Sequence, residues 1–108
     1  MVSKIKFVYK DKPYALEYTR NSVVEMERRG FVAEEVLAKP MVLLPELFAG
    51  AFIANHRFVS RKKIDEIFAQ FDGKGELLNA LAQMLTIVYE EFVTELEQVR
   101  NGIPWERS

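Results

Sequence analysis

The chain has 108 residues, a net charge of −1, 49% hydrophobic and 29% charged residues, and no cysteine. That composition suits one globular domain with a modest core and argues against a general nucleic-acid binder. It excludes disulfides and thiolate metal sites, and no apolar run approaches the roughly 20 residues of a membrane span. The first residues lack the apolar core of a signal peptide, and a reducing cytoplasm fits.

Residues 4–18 alternate apolar and polar side chains on both sides of a polar break. Ile5, Phe7 and Tyr9 share one face of a first strand, and Tyr14, Leu16 and Tyr18 share one face of a second. Lys10-Asp11-Lys12-Pro13 has turn chemistry, with Pro13 expected at the turn or the strand start. A two-stranded hairpin is marginal alone, so its aromatic face must lie on helices or on another chain.

Thr19, Asn21 and Ser22 are candidate caps for a helix over about 22–29. Gly30 is placed to end it, with Phe31 as the hydrophobic contact behind. A second short helix is expected near 33–38, stopping before Pro40. Leu43, Leu44, Leu47, Phe48, Ala51, Phe52 and Asn55 then recur at helical spacing in an almost wholly apolar stretch, the mark of a central buried helix with Pro45 in its first turn. Ser60 caps a helix with Ile64, Ile67, Phe68 and Phe71 on its inner face, closed by Asp72-Gly73. A long helix runs from about Gly75 to Arg100, ended by Asn101-Gly102 and Pro104. The expected fold is mainly α with a small β part: an N-terminal two-stranded antiparallel hairpin followed by a bundle of about five helices, the last one long. We read residues 1–108 as a single domain, with a hairpin at 4–18, a helical bundle at 22–100 and a tail at 101–108.

The last helix changes character along its length. Two apolar rows line its first half. Past Val88 one row turns to Glu91 and Glu95, while the other continues as Leu78, Ala82, Leu85, Tyr89, Phe92, Leu96 and Val99. A seam this narrow faces one partner helix, either of the same fold or of another subunit. The tail adds Ile103 and Trp105, which either fold back or meet a partner. Tyr89, Phe92, Leu96, Val99, Ile103 and Trp105 are the candidate partner-binding residues. Charge is uneven as well: residues 1–20 carry a net +3 and residues 76–108 a net −4. A basic head and an acidic tail could attract each other between copies, or both could be solvated faces.

Catalytic chemistry has no foothold. His56 is the sole histidine, and one histidine without cysteines cannot build a zinc site of usual composition. It suits the end of a helix. The serines read as caps, and the carboxylate pairs Glu34-Glu35, Asp65-Glu66 and Glu90-Glu91 lie on solvated helix faces. Arg61-Lys62-Lys63 could touch phosphates, but Asp65 and Glu66 on the same helix oppose DNA. No catalytic residue, cofactor, metal or nucleic-acid partner is expected.

Taken together, "KFVYKDKPYALEYTR", "SVVEMERRG", "LPELFAGAF" and "LLNALAQMLTIVYEEF" resemble the small tail assembly chaperones of long-tailed bacteriophages and prophages, a branch often described only as a domain of unknown function. The resemblance covers about residues 4–100 and rests on packing patterns. It implies a non-enzymatic protein of the bacterial cytoplasm, absent from the mature virion. Such a protein coats the tape measure protein, helps recruit tail tube subunits and self-associates, and a longer frameshifted form is common. The alternative is a generic helical adaptor or regulator acting as a dimer.

Overall fold

In the computed structural model, which describes residues 3–98 and Glu106, strands β1 (Ile5–Tyr9) and β2 (Lys12–Leu16) form an antiparallel hairpin. Lys10 and Asp11 both take positive φ (48° and 64°), so the turn is a two-residue loop of the mirror-image kind that matches strand twist. Pro13 therefore falls inside β2 and faces Val8, at a position that needs no N–H.

Helix α1 (Arg20–Arg28) starts slightly earlier than its apolar pattern suggests. Thr19 accepts from the Ser22 amide at 3.1 Å, and Ser22 Oγ accepts from the Thr19 amide at 2.8 Å, a reciprocal cap. At the far end Gly30 adopts φ 97°. Its N–H reaches Glu27 O and the Phe31 N–H reaches Met26 O, a Schellman ending.

The expected second helix over 33–38 is a single 3-10 turn, Ala33–Glu35. The described residues therefore hold four α-helices, not about five. The segment is squeezed between Gly30 and Pro40, too short to repay helix nucleation, and Val36 is its one buried anchor. The next helix, α2 (Pro40–Gly50), begins at Pro40 and carries Pro45 in its interior. Only its second half is deeply buried, through Leu47 and Phe48, whereas Met41 is 92% exposed. Beyond Gly50 the chain continues in turns through Ala51 and Phe52, both buried. Helix α3 (Arg61–Gln70) starts at Ser60, whose side chain accepts from the Lys63 amide, and α4 (Lys74–Gln98) is roughly 37 Å long at 1.5 Å per residue. No helix among the described residues is long and apolar enough to cross a membrane.

The core gathers Leu16, Leu47, Phe48, Phe52, Ile67 and Leu81. The hairpin joins it by its aromatic face: Phe7 stacks on Tyr14 at 5.2 Å and meets Phe71 edge-on at 4.9 Å, while Phe48 contacts Phe52 and Phe71, each at 5.2 Å. Tyr18 donates from its hydroxyl to Leu47 O at 2.6 Å, and burial pushes its phenol pKa well up. The isolated hairpin is thus a lid on α2 and α3, stabilised by rings and not by a third strand.

Candidate functional site

Three of the six candidate partner-binding residues, Val99, Ile103 and Trp105, lie outside the described residues. Tyr89 is partly buried. Its hydroxyl donates to Glu27 on α1 at 2.5 Å, and burial, reinforced by that carboxylate, pushes its phenol pKa up. Phe92 is 37% exposed with the Arg20 guanidinium 4.7 Å from its ring centroid, and Arg20 also pairs with Glu95. Leu96 is 57% exposed. The seam therefore divides. Tyr89 is committed to α1, Phe92 is half covered by an arginine, and Leu96 is open.

Val93, absent from the candidate set, is 51% exposed on a neighbouring face of α4. It lies in a shallow groove of about 480 Å³ with Thr86, Glu90 and Glu97. Periodicity identifies the apolar row of a helix. It does not say which row α1 leaves uncovered.

Two concave regions lie elsewhere. One is a cleft of about 490 Å³ floored by Met26, Leu43, Ile53 and Ile64. Its rim charges satisfy each other: Arg57 pairs with Glu25 at 2.9 Å and Arg61 with Glu46 at 2.8 Å. Hydrogen bonding from Arg57 holds the Glu25 carboxyl below its ordinary pKa. The other is a cleft of about 660 Å³ beside the hairpin turn, where Lys10, Lys12, Arg57 and Lys63 converge. Of the cationic run noted in the sequence, Lys63 lines this cleft and Arg61 lines the first one.

His56 closes the sheet. Its Nε2 accepts the Ala15 N–H at 3.0 Å, Asn55 Nδ2 donates to Ala15 O at 3.1 Å, and the Glu17 N–H reaches Ala51 O at 3.2 Å. These contacts satisfy the outward N–H and C=O of Ala15 and the N–H of Glu17 at the end of β2. Ala15 faces Lys6 in a pair whose backbone groups point outward, so Lys6 presents its own groups on the opposite edge, β1. Burial, and then the nearby Lys12 ammonium, hold the His56 pKa below its usual value. An imidazole nitrogen that accepts a hydrogen bond must be unprotonated.

Among the described residues no group of His, Asp or Glu is arranged to hold a metal ion. The arrangement offers exposed apolar and charged surfaces for another chain. No curated protein and no solved structure matches this chain. A family model does match it, over residues 1–108, under the description "Domain of unknown function (DUF5055)", and the chain belongs to that family.

Proposed function

We propose that this protein is a non-enzymatic tail assembly chaperone of a long-tailed phage or prophage. It acts in the host cytoplasm, where it binds the tape measure protein and helps recruit tail tube subunits. The observation that carries the reading is the open end of the α4 seam. Phe92 and Leu96 stand exposed one helical turn apart on a helix whose earlier turns, through Leu77, Leu81 and Leu85, are buried. An apolar row that outruns its own core is suited to a second amphipathic helix, the form in which a long helical client presents itself. The resemblance of about residues 4–100 to the tail chaperones supplies the identity of that client.

The test is size-exclusion chromatography with light scattering on the purified chain, alone and mixed with a helical fragment of a tape measure protein encoded beside it. Several copies co-eluting on the fragment support the chaperone. A defined dimer that ignores the fragment favours the adaptor reading instead.

A further inference from the structure

Two charged surfaces remain unused by client binding through Phe92 and Leu96, and they are complementary. The cleft beside the hairpin turn brings together Lys10 and Lys12 from the turn and β2, Arg57 from the loop after α2, and Lys63 from α3, and no carboxylate is among the described residues that line it. Nearby acids offset these cations only in part. Lys10 and Lys63 share Glu66, at 3.5 and 3.8 Å, and Arg57 shares Glu25 with Arg29. Lys12 lies over the Tyr14 ring at 5.3 Å and forms no ion pair among the described residues. Phe58 stands on the lip of the cleft, 96% exposed. A phenylalanine so exposed beside four cations is a poor surface for a solitary domain.

The second surface is the Glu90–Glu97 face of α4. From Gly75 to Gln98 the helix has no lysine or arginine, and Glu90, Glu91, Glu95 and Glu97 crowd its second half. Arg20 offsets Glu95 alone. Glu90 and Glu97 flank the half-exposed Val93 in the shallow groove. Both surfaces therefore have one design, an exposed apolar residue between like charges, with opposite sign.

We infer that the Lys10–Lys12–Lys63 cleft of one copy receives the Glu90–Val93–Glu97 face of α4 from a second copy, with Phe58 meeting Val93. The Arg20–Glu95 pair and the Tyr89–Glu27 hydrogen bond hold this half of α4 beside α1, so its acidic face is presented at a fixed place on the body. A second α4 is a poor occupant for that face, because glutamates would oppose glutamates. A second hairpin is a poor occupant for the cleft, because lysines would oppose lysines. The contact joins two different surfaces, so it is head-to-tail, and each added copy leaves one free cleft and one free α4. The assembly would then extend by repetition. The inference stands independently of the client, since it concerns contacts between copies.

The test needs this chain alone. Sedimentation velocity at low salt is expected to show concentration-dependent species larger than the monomer, weakened roughly tenfold or more as salt rises from about 0.05 to about 0.5 M. The variants Lys12→Glu/Lys63→Glu and Glu90→Lys/Glu97→Lys are each expected to sediment as monomers. An equimolar mixture of the two is expected to associate again, because each retains the surface the other has lost. If circular dichroism finds the first variant unfolded, Lys12→Gln/Lys63→Gln takes its place. A wild-type monomer at high concentration and low salt overturns the inference. So do variants that self-associate as well as the wild type, folded variants whose mixture stays monomeric, or a monomer that instead binds a labelled single-stranded oligonucleotide through Lys12 and Lys63.

Discussion

His56 Nε2 accepts the backbone N–H of Ala15 at 3.0 Å, so an imidazole stands where a third strand would otherwise sit. The ring also packs 5.0 Å from Tyr14 and 6.2 Å from Phe52, centroid to centroid, which ties the edge of the sheet to the turns after α2. With Asn55 and the Ala51 carbonyl, this side chain covers one edge of the hairpin, while the other edge, along β1, has no such cover among the described residues.

The bond makes stability depend on pH. The folded pKa of His56 lies below its ordinary 6.5, so the unfolded chain takes up the proton first. The stabilisation is complete above about 6.5 and is lost as pH falls through the folded value. Urea unfolding at pH 7.5 and pH 5.5 should show a lower midpoint in acid for the wild type. His56→Gln keeps an acceptor and removes the titration, so its own shift should be smaller. His56→Ala orphans the Ala15 amide and is expected to cost about 1–3 kcal/mol at pH 7.5.

Gly30 tests the end of α1. Its φ of 97° is strained for any residue with a Cβ, yet a Cβ there would meet nothing within 4 Å. Gly30→Ala therefore isolates backbone strain from crowding, and the expected loss is about 1 kcal/mol by denaturant unfolding, with the slope unchanged. A neutral or stabilising result would show that the Schellman ending contributes nothing.

Gly50 poses the opposite problem. A Cβ there would come within 2.5 Å of Met26 Sδ and Cε, which marks the close approach of α1 to α2. Met26 lines the adjoining cleft, so its tip can turn aside, but its Cγ would also lie 2.9 Å away, so moving the tip alone does not relieve the clash. Gly50→Ala should destabilise by roughly 1–2 kcal/mol, since overpacking outweighs the helix-propensity gain. Shortening the opposing side chain should recover much of the loss, so Gly50→Ala/Met26→Val should be more stable than the sum of its single changes implies.

Much of this architecture was legible from short-range pattern. The alternation through Phe7 and Tyr14, the cap at Ser60 and the Gly30 ending are local devices, and each forms as read. The helix expected at 33–38 shrinks to one turn because a stop at Pro40 marks an end and does not measure whether a segment has length and buried surface enough to persist, and Val36 alone supplies neither. Pro45 was misplaced for a related reason. A proline fits the first turn by rule, but Pro40 opens α2 instead. On α4 the row through Tyr89, Phe92 and Leu96 was visible, while the exposure of Val93 was not, because it depends on where α1 lies. The basic cleft was legible only in pieces. Lys10 and Lys12 belong to the basic head and Lys63 to the Arg61-Lys62-Lys63 run, but nothing in the sequence brings these stretches together or adds Arg57 to them.

The seam itself separates packing from partner binding. Phe48 is fully buried among aromatic rings, so Phe48→Ala should cost about 3–5 kcal/mol and abolish both folding cooperativity and every downstream interaction. Leu96 is more than half exposed beyond the core, so Leu96→Asp should change stability by no more than about 0.5 kcal/mol. The same substitution should nevertheless abolish co-elution with a tape measure fragment, because a charge at the centre of an apolar helix contact has no partner there. Self-association through Glu90 and Glu97 should persist in Leu96→Asp, since those residues project about 100–120° around the helix from Leu96. A variant that is stable, still self-associates and no longer binds the fragment places the client on the Phe92–Leu96 row. A stable variant that binds the fragment as the wild type does removes that row from the client contact, and Tyr89 and Phe92 then serve only to hold α4 against α1.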